Sequence, residues 1–258
     1  MGGGFGGVRS SSLVQNGWNR DPLCYPTDAC FDEDPRPEIS GYRWRYDVAA
    51  APGFAFELST GVLVDRARLE LSFGATRNGL DQTFVGVTDY DGVPMEARRD
   101  TTVVSDVRAS IDHLVVRTLA FNAYYDFPAG SGFSPYVGAG LGPAFVTVAG
   151  VRFSDEYRDT AADGDIYDPP LSSYNARLDD DLSATVPAWQ LHAGADFRVA
   201  GGTALGAKLT WSMLADVETS GGYDLHAAHA FDPDFSHHDT FSGARFWTLL
   251  FTLKHVFD

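Results

Sequence analysis

The feature that most constrains this chain is the alternation of residues in a hairpin over 118–145. One face of the hairpin consists of Leu119, Phe121, Ala123, Tyr125, Phe127, Val137, Ala139, Leu141, Pro143 and Phe145. The other face consists of Thr118, Asn122, Tyr124, Asp126, Tyr136, Gly138, Gly140 and Gly142. A period of two is the period of a β-strand. The pattern therefore predicts two strands with one wholly apolar side, joined by a tight turn.

The same alternation recurs along the chain and predicts eight strands, at 2–12, 42–58, 63–75, 118–127, 136–145, 187–199, 205–215 and 245–257. Three connections between them are short, and four are long and polar, at 13–40, 78–110, 150–185 and 216–243. Short turns at one end and long loops at the other are typical of membrane-spanning barrels. We expect one domain over residues 1–258, an all-β, eight-stranded antiparallel transmembrane β-barrel with four extracellular loops and three periplasmic turns.

The content of the less apolar face indicates which side of the barrel is inside. It carries Arg43, Arg45, Asp47, Glu57, Arg66, Arg68, Glu70, Asp126, Asp196, Arg198, Lys208 and Lys254. A soluble barrel places its apolar residues inside, whereas a barrel in lipid places them outside. We expect these twelve residues to form a charge network that plugs the interior, with Gly138, Gly140 and Gly142 leaving room for neighbours such as Tyr124. A soluble β-sandwich with one wet face is the less favoured alternative.

Charge is distributed unevenly along the chain. The net charge is −16, which argues against a nucleic-acid partner because phosphate binding requires a basic surface. The four long loops hold 27 of the 35 acidic residues and 8 of the 19 basic ones. No apolar run approaches the roughly 20 residues of a membrane-spanning helix. The sequence therefore predicts acidic loops on a barrel with a nearly balanced framework.

Three groups in the loops are candidates for covalent or metal chemistry. Cys24 and Cys30 lie close together in a loop rich in Pro and Asp, which suggests a local disulfide in an oxidising compartment, with two free thiols as the alternative. Clustered carboxylates suit a hard cation such as Ca²⁺, which would bridge to lipopolysaccharide phosphates, and the candidates are Asp163, Asp165 and Asp168 together with Asp179, Asp180 and Asp181. His226, His229, His237 and His238 suit a transition metal such as Zn²⁺. For both metal candidates we favour the simpler interpretation of solvated polar loops, so no cofactor is required.

The alternation in 122–142 and the aromatic end at Phe257 resemble the small outer-membrane β-barrels of the OmpA-like and bacterial surface-antigen type. The resemblance implies residence in the bacterial outer membrane, a removed signal peptide, and contact of the last strand with the barrel-assembly machinery. One residue, Asp258, follows the terminal aromatic, and the first strand is unusually rich in glycine. The resemblance does not extend into the long loops.

The function expected from these features is that of a structural or surface-recognition barrel without catalysis. Outer-membrane lipid, lipopolysaccharide and an envelope or surface protein are the expected partners. A narrow channel for small solutes is the first alternative, and a lipid-modifying enzyme is the second. Ser236, His237, His238 and Asp239 are close in sequence, but proximity in sequence does not make a catalytic triad. We expect His192, on an inward position, to be a hydrogen-bonded interior residue.

Overall fold

The fold consists almost entirely of antiparallel strands. The computed structural model describes residues 1–9, 11–18, 42–89, 92–94, 103–127, 132–161, 170–222, 224–225, 236–242 and 244–256. Among these residues, no helix has the length and apolar character needed to cross a membrane.

The described residues form fourteen strands and one short 3-10 helix, Leu171–Tyr174. The strands are β1 Gly2–Arg9, β2 Ser11–Trp18, β3 Tyr42–Ala50, β4 Gly53–Val64, β5 Ala67–Asp89, β6 Val103–Ser110, β7 His113–Asp126, β8 Phe133–Asp159, β9 Ala176–Ala200, β10 Thr203–Leu214, β11 Val217–Gly222, β12 Asp224–Leu225, β13 Ser236–Ser242 and β14 Arg245–His255.

Eight of these strands pair in a closed ring, in the order β1, β4, β5, β7, β8, β9, β10, β14 and back to β1. Every pairing is antiparallel. Register partners followed once around the ring from Arg77 return to β5 at Ala67, ten residues away. A stagger of this size in an eight-stranded ring corresponds to a strand tilt of about 40°. The predicted eight-stranded antiparallel barrel is confirmed.

The outer face of the ring carries an apolar belt, as the hairpin predicts. Leu119, Phe121 and Tyr125 of β7 are exposed there, and Asn122 and Tyr124 between them are buried. The other strands contribute Phe54, Phe56, Leu58, Leu69, Leu71, Phe73, Val137, Leu141, Phe145, Trp189, Leu191, Phe197, Leu205, Leu209, Trp247, Leu249, Phe251 and Leu253. An exposed apolar surface this continuous is a lipid-facing surface. We call the end with the tight turns the turn end and the opposite end the loop end.

At the loop end, the structure has further strands in the segments that the sequence predicts to be long loops. β2, β3, β11 and β13 pair with one another and with the loop-end half of β5. β6 pairs with the loop-end half of β8, which pairs with β9, and β12 pairs with β9. We call these strands and half-strands the extension. The prediction of long loops over 78–110, 150–185 and 216–243 is therefore wrong in large part, and many of their acidic residues lie on strands.

The extension has an apolar core between its two sheets. Trp44, Phe153, Leu178, Leu182 and Phe241 are among its buried members. An extension that stands in water has to place its apolar residues inside, which is the reverse of the arrangement in the belt. The inside of the molecule is consequently polar at the turn end and mainly apolar at the loop end, where His237 and Asp239 are buried polar exceptions.

This reversal overturns the prediction for β3. Trp44, Tyr46 and Val48 point into the core, whereas Arg45 and Asp47 are exposed on the outside. The same alternation has the opposite meaning in β4, where Phe54 and Phe56 are exposed. The change occurs at residues 51–52, where Pro52 lacks a backbone N–H and interrupts the strand. A single strand over 42–58 was the wrong interpretation.

A β-bulge marks the same boundary on β8. Its register with β9 shifts between Val148 and Val151, and Gly150 has φ 63°, a conformation that favours glycine. On the turn-end side of the bulge β8 pairs with β7, and on the loop-end side it pairs with β6. The bulge also shifts the inward positions by one residue, since Val146 and Val148 are buried before it and Val151 and Phe153 after it.

Candidate functional site: the occluded barrel interior

A network of ion pairs fills the barrel at the turn end, with Arg68 of β5 at its centre. The Arg68 guanidinium lies 3.0 Å from Glu70 Oε1, 3.5 Å from Asp126 Oδ1 and 3.4 Å from Asp196 Oδ2. These carboxylates come from β5, β7 and β9, so the Arg68 guanidinium links three strands of the barrel across its interior. Asp196 is shared with Lys254 of β14, whose Nζ donates to Asp196 Oδ2 at 2.6 Å.

Aromatic rings and a second lysine complete this layer. Lys208 of β10 donates to Glu57 and, at 3.4 Å, to the Tyr124 hydroxyl. The Arg68 guanidinium lies 4.6 Å from the centroid of the Tyr124 ring and 4.7 Å from that of Tyr136. Cation–π contacts and ion pairs together offset the cost of burying these charges.

A neutral hydrogen-bonded layer lies next to the charges. Asn122 Nδ2 donates to Ser72 Oγ at 2.7 Å, which leaves Asn122 Oδ1 as an acceptor. His192 Nε2 lies 3.1 Å from that oxygen and Nδ1 lies 3.0 Å from Thr210 Oγ1. The chain of bonds therefore places the histidine proton on Nε2, with Nδ1 accepting from the threonine hydroxyl. The prediction of a hydrogen-bonded interior histidine is confirmed.

Glycines on β8 and β9 make the space that these side chains occupy. A Cβ at Gly138 would lie 2.3 Å from the Tyr124 ring, and one at Gly140 would lie 1.9 Å from Asn122 Oδ1. A Cβ at Gly194 would lie 2.4 Å from the Tyr136 ring. The predicted role of Gly138 and Gly140 is confirmed. Gly142 differs, because a Cβ there would collide with the backbone oxygen of Leu119.

Together these layers leave little free volume inside the described part of the barrel. One cavity of about 30 Å³ lies among Glu57, Thr118, Gln190 and Thr248. Another of about 10 Å³ lies beside Arg68 and Lys208. Each has space for about one water molecule. Beyond them, towards the loop end, the apolar core of the extension begins.

The twelve charged residues predicted to lie inside the barrel fall into two groups. Seven lie inside the barrel, namely Glu57, Arg68, Glu70, Asp126, Asp196, Lys208 and Lys254. Arg43, Arg45 and Asp47 share the outer face of β3, Arg66 is exposed in the turn between β4 and β5, and Arg198 is exposed at the rim of the turn end. For these five the prediction is wrong, because their strand segment lies outside the belt or at its edge.

The extension brings together a polar pair that sequence reasoning assigned differently. His237 and Asp239 of β13 both point inward, and His237 Nδ1 lies 2.5 Å from Asp239 Oδ2. His238 points to the other face and contacts Ser220 Oγ at 2.9 Å. Burial raises the pKa of the nearby Tyr46, and the Asp239 carboxylate raises it further. His237 and His238 therefore do not face one ion together, because consecutive residues of a strand point to opposite faces.

Most of the remaining predicted loop sites lie outside the described residues. These are Cys24, Cys30, Asp163, Asp165, Asp168, His226 and His229, together with the terminal Phe257. Among the residues that are described, no group of three or more His, Cys, Asp or Glu side chains is placed to hold a metal. The disulfide and the metal sites stay predictions.

Comparison with known proteins identifies the family. The sequence profile of the Outer membrane protein beta-barrel domain matches residues 31–231. The chain belongs to this family. The resemblance found in the hairpin is thereby confirmed, and the family resides in the bacterial outer membrane. A comparison with curated protein sequences found no significant match.

Three solved structures illustrate the similarity. Neisserial surface protein A is 14% identical with a TM-score of 0.36, and 100% of each chain is covered. The outer membrane protein OprG from Pseudomonas aeruginosa is 13% identical with a TM-score of 0.43, covering 98% of this chain and 97% of that one. The outer membrane protease OmpT from Escherichia coli is 10% identical with a TM-score of 0.28, covering 99% and 96%. Similarity at this level transfers no activity to this chain.

Proposed function

We propose that this protein is a closed outer-membrane barrel that holds a folded, acidic extension at the cell surface in a structural or recognition role. The observation that carries the proposal is that the interior is filled by side chains at both ends. Ion pairs around Arg68 fill the turn end, and the apolar core around Trp44 and Phe153 fills the loop end. A barrel whose interior is filled at both ends leaves no path for solutes, which favours display of the extension over transport.

The orientation follows from the ends of the strands. β4 and β5 are joined by two residues, as are β9 and β10, and β1 begins at this same end. Members of this architecture keep short turns in the periplasm and long connections outside. The extension then stands on the cell surface and presents exposed acidic side chains such as Asp106, Glu156 and Asp179.

Conductance measured in planar lipid bilayers tests the closed state. The full chain is expected to produce no steady single-channel current, in a membrane where an open porin of known conductance serves as the positive control. Steady, large single-channel currents from the wild-type protein would overturn the proposal and favour a channel for small solutes.

Labelling on intact cells tests the display. In a background where Cys24 and Cys30 are replaced by Ser, Asp179→Cys reports on the extension and Arg198→Cys reports on the turn end. Both residues are exposed, so accessibility depends on which side of the membrane they occupy. A membrane-impermeant maleimide is expected to label the first variant on intact cells and the second only after lysis. The reverse pattern would refute the orientation.

A further inference from the structure

Arginines occupy the outer face of the barrel where the apolar belt ends. On β5 the outward residues Leu69, Leu71 and Phe73 lead to Arg77, and on β7 Phe121 and Leu119 lead to Arg117, all counted towards the loop end. Arg245 follows Trp247 and Leu249 on β14 in the same way. Each of these arginines is exposed on the outside of the barrel.

The three arginines lie at one height. A ring of eight strands that returns ten residues away is staggered by about 1.25 residues per strand. With that stagger and the observed registers, Arg77, Arg117 and Arg245 fall within about one residue's rise of one another along the barrel axis. Outward acidic residues, such as Asp81 and Asp181, follow further towards the loop end. On these three strands an arginine therefore lies between the apolar belt and the acidic extension.

Arg77 and Arg117 also form a like-charged pair. They lie on neighbouring strands, with Arg117 opposite Ala75 and Arg77 opposite Val115. Neither makes an ion pair with any residue in the described part of the chain, whereas the exposed Arg152 binds Asp112 at 3.1 Å and Arg108 binds Asp106 at 2.9 Å. At these diagonal positions two long side chains are within reach of each other, so the like charges repel, and an anion placed between them would remove the repulsion.

An apolar groove lies beside this pair. Arg117 is opposite Phe145 of β8, and a groove of about 390 Å³ begins two residues away, between β8 and β9. Its lining includes Leu141, Pro143, Pro187 and Trp189. The groove is on the lipid-facing side, so an acyl chain is the ligand chemistry that suits it.

We propose that Arg77 and Arg117 bind a phosphate of the outer leaflet's phosphorylated glycolipid, lipopolysaccharide, with an acyl chain in the β8–β9 groove. The guanidinium fork matches phosphate oxygens with paired hydrogen bonds. The height of the arginines, at the edge of the belt, is the height of the lipid headgroups. The proposal uses the orientation given above but does not depend on whether the barrel conducts.

Native mass spectrometry of the full-length protein, released from detergent with added lipid A, tests the site. The variant Arg77→Gln/Arg117→Gln removes both charges and keeps a polar side chain that can donate hydrogen bonds. Arg66→Gln/Arg198→Gln is the matched control, since both of its residues are exposed at the turn end. Loss of two charge-assisted contacts is expected to weaken lipid A binding by about tenfold or more in the first variant, with no change in the control.

Two further probes identify the ligand source. Lipid A stripped of its phosphates is expected to bind the wild-type protein as weakly as intact lipid A binds the double variant. Inorganic phosphate is expected not to compete at equal concentration, because it lacks the acyl contacts. Equal binding of both lipids, equal weakening in the control variant, or full competition by inorganic phosphate would each overturn the proposal. Retention of the heat-dependent gel shift of a folded barrel shows that the variants are folded.

Discussion

The rings of Trp44 and Phe153 lie 4.0 Å apart between centroids and join the two sheets of the extension across its core. Trp44 belongs to the sheet of β2, β3, β11 and β13, and Phe153 to the sheet of β6, β8 and β9. Both side chains are buried. Aromatic pairs contribute both area and specific geometry to a core, so this contact is a principal connection between the two sheets.

Replacing Trp44 with Ala is expected to destabilise the extension by about 3–5 kcal/mol, because a large buried ring is lost and a cavity remains. Hydrogen exchange followed by mass spectrometry should show faster exchange in β3 and in the loop-end halves of β5 and β8. Val85→Ala is the control, since Val85 lies in the same region of β5 and is 52% exposed. Unchanged exchange in the Trp44 variant would contradict the core described for the extension.

The close approach of Gly140 to Asn122 leads to a second prediction. Gly140→Ala would place a Cβ 1.9 Å from Asn122 Oδ1, so the barrel must shift or lose the Asn122–His192 hydrogen bond. We expect a clear drop in the thermal unfolding temperature. The cost of Gly140→Ala should be smaller in an Asn122→Ala background, which removes the obstructing amide.

Gly79→Ala provides the matched control for this substitution. Gly79 is also a strand glycine, but a Cβ there would lie 3.7 Å from the nearest atom, an ordinary contact. Its unfolding temperature should stay close to that of the wild-type protein. If Gly140→Ala is as mild as Gly79→Ala, the interior is less tightly packed than the structure indicates.

The sequence predicts which residues share a face better than it predicts where that face points. The alternation of Phe121 with Asn122 and the alternation of Trp44 with Arg45 have the same period, yet Phe121 points outward and Trp44 inward. Periodicity does not report whether lipid or water surrounds a strand. Only the interruption at Pro52 marks the change, and one proline is a weak signal.

The sequence predicts that charged residues fill the inside of the barrel, but it does not predict which of them contact one another. The sequence indicates that Arg68, Asp196 and Lys254 lie inside, because all occupy the polar face of belt strands. Their contact depends on the register of β5, β9 and β14, which a stagger of ten residues around the ring determines. The pair of His237 and Asp239 was missed for a different reason, since the segment around it has no apolar alternation to indicate a strand.

A third prediction concerns Arg68, whose loss would leave buried carboxylates without their cation. Glu70 and Asp126 lie 3.0 and 3.5 Å from it. Arg68→Ala is expected to lower the free energy of unfolding by about 3–5 kcal/mol in urea titrations in detergent micelles. Adding Glu70→Gln should recover part of that loss, because one unpaired carboxylate is neutralised. Arg66→Gln, two residues away but exposed, should have little effect; a strictly additive double variant would argue against the pairing.

The fourth prediction concerns Tyr46 at high pH. Burial raises the pKa of its hydroxyl, and the carboxylate of Asp239 raises it further. The folded state therefore keeps the proton when the unfolded state, with a pKa of about 10, has released it. The resulting stabilisation is fully present below pH 10 and is lost as the pH rises above that value. Stability should decline more steeply above pH 10 in the wild-type protein than in Tyr46→Phe.

Absorbance near 295 nm, where tyrosinate absorbs, separates this effect from general alkaline unfolding. Of the 11 tyrosines in the chain, Tyr46 should stay protonated at pH 11 in the folded protein. The folded wild-type protein and Tyr46→Phe should then show equal tyrosinate absorbance at pH 11, and should differ by one tyrosine only after unfolding. A difference of one tyrosine already present in the folded state would mean that Tyr46 ionises at its ordinary pKa, and that water reaches the core beside Asp239.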